Sequence, residues 1–187
     1  MGAMTVVWIV LGIVVLLLLA LAAVYNGLVS RRMQCREAWS QIDVQLKRRH
    51  DLIPNLVETV KGYATHERGT LEAVTAARGA AVSATGIKEK GEAENMLSGA
   101  LRQLFALSEA YPNLKANENF ARLQEELSST ENRISFSRQH YNDTAGDYNT
   151  AVQKFPSNIV AGMFGFKEQE FFQLEDKAEK EAPQVKF

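Results

Sequence analysis

The first stretch of the chain is apolar throughout, and the rest is apolar at helical spacing. Thr5 to Val24 reads TVVWIVLGIVVLLLLALAAV, 20 residues without a charge. As a helix that run is about 30 Å long, the thickness of a bilayer's hydrocarbon core. Beyond it, Cys35, Trp39, Ile42, Leu46, Ile53, Leu56, Val60 and Tyr63 recur at steps of three, four and seven. These steps predict an amphipathic helix whose one missing core position is filled by Arg49. This helix is expected to run on from the apolar stretch, with Gly27 as a soft point and Pro54 as a kink. Gly62 to Ala64 reads as a corner.

Three more helices follow from the same spacing. Leu71, Val74, Ala77 and Ala81 mark the second. Thr85 to Gly91 (TGIKEKG) reads as a loop, with glycine at or near both ends and charges between. Glu92 to Tyr111, with Leu97, Ala100, Leu101, Leu104, Leu107 and Ser108 on one side, forms the third, and Pro112-Asn113 stops it. Phe120, Leu123, Leu127, Ile134, Tyr141, Tyr148, Val152 and Phe155 mark the fourth, with Thr130, Ser137 and Ala145 between them. No long strand-like alternation occurs. The expected fold is all-α: one N-terminal transmembrane helix, then an antiparallel four-helix bundle with long helices, then a C-terminal aromatic segment. The expected division is a short extracytoplasmic end at 1–4, the transmembrane helix at 5–25, the bundle at 26–155, and the aromatic segment with a charged, flexible tail at 156–187.

Trp8 and Tyr25 bracket the apolar run, roughly 25 Å apart along a helix, and suit its two interfaces. A cleaved signal peptide is the rival reading, through Ala20-Leu21-Ala22. The lack of Lys or Arg in Met1 to Met4 and the length of the run favour an uncleaved anchor. The first cations, Arg31, Arg32 and Arg36, follow the run. By the positive-inside rule they put the C-terminal domain in the cytoplasm.

Composition removes several function classes. A net charge of −1 gives no general attraction to nucleic acid. Cys35 is the only cysteine, so neither an internal disulfide nor a zinc–thiolate site can be built. No Walker loop, GxGxxG or GxSxG string is present. His66-Glu67 starts like a zincin motif, but position 70 is Thr. His50, His66 and His140 are separated in sequence and read as solvated or capping residues. Cys35, on the apolar stripe, reads as a packing residue. No catalytic residue, metal or cofactor is therefore expected.

Two features are left over. Arg49 either pairs with a carboxylate inside the bundle, Glu131 being the first candidate, or snorkels outward along its stem. The rest of the run Lys47-Arg48-Arg49-His50-Asp51 reads as a solvated face. After Pro156, Ile159, Val160, Met163, Phe164, Phe166, Phe171, Phe172 and Leu174 follow within a short stretch. They cap the bundle, lie on the membrane, or meet a second copy. Self-association or membrane contact is the expectation, because the bundle's own stripe already has partners.

Several strings resemble the LemA family of bacterial membrane proteins. They are Tyr25-Asn26-Gly27-Leu28-Val29, the run RRHDLIPNLVETVKGYA ending at Ala64 with His66-Glu67, Tyr111-Pro112-Asn113-Leu114-Lys115, and Thr130-Glu131-Asn132-Arg133-Ile134. Tyr141-Asn142, Tyr148-Asn149 and Phe155-Pro156 complete the set. The resemblance implies a bundle of long helices anchored in the bacterial inner membrane by a single pass, with no established catalytic activity. Some members are linked to magnetosome membranes, and others lie near genes for membrane proteases. The expected function is a non-enzymatic scaffold that forms homo-oligomers through its helical domain and organises or shapes the membrane. The alternative is an adaptor that presents its bundle to a membrane protease or another membrane partner. The lipid bilayer is a partner in either case, and nucleic acid in neither.

Overall fold

The computed structural model describes residues 2–64 and 66–173. No strand occurs among the described residues. Helix α1 covers Gly2–Lys61, α2 Arg68–Ser83 and α3 Ile87–Ser108. A single turn, α4, spans Pro112–Lys115. Helix α5 covers Glu118–Gln153 and α6 Ser157–Phe164. The expected end at Glu175–Phe187, and Leu174, lie outside the described residues.

Helix α1 continues through both Gly27 and Pro54 over its 60 residues. A proline inside a helix removes the N–H that would bond the carbonyl four residues earlier, here that of His50. The Arg78 Nε donates to this carbonyl at 2.7 Å. A side chain of α2 thus takes over the acceptor that Pro54 leaves, and the helix goes on. It stops at Lys61, where the Tyr63 and Ala64 N–H groups both turn back to the Val60 carbonyl.

The predicted loop Thr85–Gly91 is a correction. The break is shorter, and α3 begins at Ile87. The Glu89 carboxylate reaches back to accept from the Thr85 N–H at 3.0 Å and its hydroxyl at 3.2 Å. These bonds tie Thr85, the residue before the N-cap Gly86, to the first turn, so the charges read as loop belong to the helix. Gly86 precedes it at φ 86°, a backbone that favours glycine. Two residues of the predicted stripes are also exposed, Tyr63 and Phe155. Both lie just beyond a helix end, where the three-four spacing no longer fixes a face.

Contacts divide the chain into two compact units. Among the described residues, one comprises 2–40 with 140–169, the other 41–139 with 170–173. Both long helices, α1 and α5, contribute residues to each unit. Helices α2, α3 and α4 fall entirely in the second unit, and α6 in the first.

In the second unit, Ile53, Leu56 and Val60 of α1 pack with Leu71 and Val74 of α2, Leu97, Leu101 and Leu104 of α3, Leu114 of α4, and Phe120, Leu123 and Leu127 of α5. In the first unit, Leu28, Cys35, Ala38, Tyr141, Ala145, Tyr148, Val160, Ala161 and Phe166 are buried. The apolar run that opens α1 differs from both. It is long and apolar enough to cross a membrane, and nothing in the structure covers it.

After α6 the chain reverses. Gly165 adopts φ 69°, and the Phe166 N–H donates to the Ala161 carbonyl at 3.0 Å, a left-handed helix stop. The extended segment that follows is held by Asn149, itself buried. Its amide donates to the Gln169 carbonyl at 2.9 Å, and its oxygen accepts from the Gln169 N–H at 2.8 Å. One side chain thus pairs with a backbone as a strand would.

Candidate functional site

The most concentrated polar chemistry lies inside the second unit, around Arg49. Its guanidinium is almost fully buried, which would be costly without partners. Nη1 donates to Glu94 Oε2 at 3.2 Å, and Nη2 donates to Ser98 Oγ at 2.6 Å. Nη2 also lies 3.2 Å from Glu131 Oε2. His50 Nε2 stands 2.6 Å from the second Glu94 oxygen. The Glu94 side chain is 1% exposed and that of Glu131 46%. Glu94 is therefore the partner that shares the low-dielectric interior, and Glu131 closes the cluster at the surface. Residues of α1, α3 and α5 are tied together at one point.

His50 departs from the expectation of a solvated or capping histidine. It sits one residue past Arg49 on α1, its side chain is 12% exposed, and it faces Glu94. Glu94 and Ser98 are absent from the sequence expectations. A signal for Glu94 was present: Glu94, Leu97, Leu101, Leu104 and Ser108 continue one three-four stripe, all buried. Glu94 lies inside the predicted third helix, Glu92 to Tyr111, one step before Leu97, the first residue assigned to its stripe.

Beside the cluster is an open cleft of about 380 Å³. Lys47, Arg78 and Lys90 line it with Asp43, Asp51 and His50. Lys90 is held by Asp43 at 2.7 Å, and Arg78 by the His50 carbonyl. Its walls carry mixed charge with no serine, threonine or cysteine among them.

The second locus is in the first unit, where the apolar run ends. Tyr25 stacks edge-on with Phe164 at 4.8 Å and Phe166 at 5.6 Å between centroids. The Arg32 guanidinium carbon lies 4.8 Å above the Phe166 ring. Trp8 and Arg31 are exposed, and Tyr25 and Arg32 half-buried. The large apolar residues after Pro156 divide. Val160, Phe166 and Phe172 are buried within the chain. The expectation that no intramolecular groove awaits them is corrected: the reversal at Gly165 and the Asn149 clamp supply one. Ile159, Met163, Phe164 and Phe171 keep exposed surface.

Cys35 is buried and donates to the Thr144 carbonyl at 3.3 Å. Burial is the main reason its thiol is pushed above the ordinary range. It has little thiolate at neutral pH and poor access. Full-chain protein at pH 8 should resist maleimide for hours and react promptly once unfolded in guanidinium. Prompt labelling of the folded chain would contradict this packing.

Fold and site define an all-helical protein with one uncovered apolar span and a charge cluster that joins helices. Residues 38–187 match the model of the LemA family. The chain belongs to that family. It is 27% identical over 175 residues to Magnetosome protein MamQ 2 of Paramagnetospirillum magneticum, covering 80% of this chain and 64% of that one. It is 28% identical over 174 residues to Magnetosome protein MamQ of Magnetospirillum gryphiswaldense, covering 79% and 64%. With Protein LemA of Metamycoplasma hominis it shares 29% identity over 140 residues, covering 73% and 63%. The chain thus spans under two thirds of the length of these relatives.

The strings that carried the resemblance are now placed. Ile53, Leu56 and Leu114 are core residues, and Asn149 clamps the returning chain. Tyr111 donates to Glu67 at 3.1 Å, and this bond, above all, raises the tyrosine pKa.

Proposed function

We propose that this protein is a membrane-anchored, non-enzymatic scaffold that self-associates through its helical part. The observation that carries the reading is that one helix, α1, supplies both the uncovered apolar run and one wall of the second unit's core. An anchor and a packed domain share a single element, which suits a part that holds position in a membrane. The Arg49 cluster supports a structural role. Its charges satisfy one another, with both oxygens of Glu94 engaged from within the chain.

In this reading the helices form an antiparallel four-helix bundle on the cytoplasmic side of a bacterial inner membrane, crossed once. Arg31, Arg32 and Arg36, just after the run, support that orientation. Exposed Val44 and Met96 in the second unit offer apolar surface to neighbouring copies.

Protease added to spheroplasts should leave the domain intact, with digestion only after lysis. Cleavage from outside would overturn the orientation. Mild-detergent extraction separates scaffold from adaptor. The scaffold comes out as copies of itself, whereas an adaptor for a membrane protease brings that protein in fixed proportion.

A further inference from the structure

Residues 155–166, FPSNIVAGMFGF, carry no charge, and Lys154 and Lys167 stand immediately on either side. Within this stretch α6 has two faces. Val160 and Ala161 are buried in the first unit, while Ile159 and Met163, one helical turn apart, are 54% and 66% exposed. Phe155, just before α6, and Phe164, at its end, are exposed as well. An exposed apolar face of this kind needs a cover.

Position identifies the cover. Phe164 touches Tyr25 edge-on, and Tyr25 is the residue that follows the apolar run Thr5–Val24. If that run fills the hydrocarbon core, Tyr25 stands where the core gives way to headgroups, the level favoured by tyrosine. Phe164 is held at the same level by direct contact. The exposed apolar surface of the run therefore continues into that of α6 within one unit. The exposed Lys154 and Lys167 suit the same place, where long cationic side chains rest their stems on apolar surface and reach phosphates.

We propose that α6 is an interfacial helix, with Ile159, Met163 and Phe164 set among the lipid headgroups and the upper acyl chains. The chain then holds the bilayer at two points, the span and a short helix lying beside its exit. The inference rests on the reading of Thr5–Val24 as a span and adds a second membrane contact to it.

Spin labels test this in the full chain, reconstituted in vesicles of phosphatidylcholine and phosphatidylglycerol. The background is Cys35→Ala, and the variants are M163C and, independently, I159C. L17C marks the span and F136C the water-exposed surface of the second unit. Accessibility to oxygen is compared with accessibility to a neutral nickel chelate. The labels at 159 and 163 should show a several-fold higher oxygen-to-chelate ratio than the label at 136, below that at 17. A ratio at 163 and 159 equal to that at 136, with 17 lipid-buried, overturns the interfacial helix alone. Low access to both reagents, with broadening relieved by unlabelled protein, assigns the face to a second copy and also overturns it. A label at 17 that meets the chelate freely overturns the span and this proposal together.

Discussion

Arg49→Met lowers the stability of the full chain in detergent by about 3–5 kcal/mol, because it leaves a buried carboxylate without its main cation. The geometry makes the direction specific. Glu94 loses the 3.2 Å contact to Arg49 and has His50 as its remaining side-chain partner. Ser98 loses its donor as well. Removing Glu94 too, as Arg49→Met with Glu94→Leu, recovers most of the loss, since apolar groups of similar volume remove the desolvation penalty together with the pair. Glu131→Gln alone should cost no more than about 1 kcal/mol, as expected for a half-exposed carboxylate. Urea unfolding followed by circular dichroism gives all three values. An Arg49→Met loss under about 0.5 kcal/mol would mean that the cluster contributes little.

Phe172→Ala should cost about 3 kcal/mol, since its ring is fully buried, although its segment follows the last helix. The same segment meets α3 at Gly91, where an added Cβ would stand 2.8 Å from the Gln173 carbonyl oxygen and 3.6 Å from the Phe172 ring. Gly91→Ala must therefore push the segment away, at about 1–3 kcal/mol. Both changes act on one contact, so the double variant should lose less than the sum. Truncation after Pro156 removes Val160, Phe166 and Phe172 at once, and is expected to destabilise the chain as well as change its assembly. Unfolding of each variant in urea, read by circular dichroism, checks the series. Full additivity of Gly91→Ala and Phe172→Ala would show that the two do not meet.

What the sequence made legible was set by periodicity. The long helices follow from three-four spacing, and the apolar run from its length. Arg49 stood out because a charge interrupted a stripe, and the same logic extended three residues upstream of Leu97 would have found Glu94. The start of that helix was misplaced because Gly86 and Gly91 look alike in sequence. One ends a loop at positive φ, and the other lies inside a helix beneath a returning chain. Tertiary partners were not legible in the same way. Nothing local announces that Arg78 takes the carbonyl freed by Pro54, or that Asn149 pairs with the Gln169 backbone. Those contacts join residues far apart in the chain, and a single sequence carries no register between them. The fate of the aromatic residues after Pro156 depended on the same information. Phe166 and Phe172, which follow the turn at Gly165, are buried, whereas Phe164 at the end of α6 and Phe171 in the returning segment are exposed.

The central claim is that copies of this chain assemble with one another at a membrane. Light scattering of the purified full chain in mild detergent, corrected for bound detergent, measures the protein mass directly. The scaffold account predicts one homogeneous species at a whole multiple of 20.8 kDa, unchanged on dilution. A protein mass of 20.8 kDa at every concentration would contradict it.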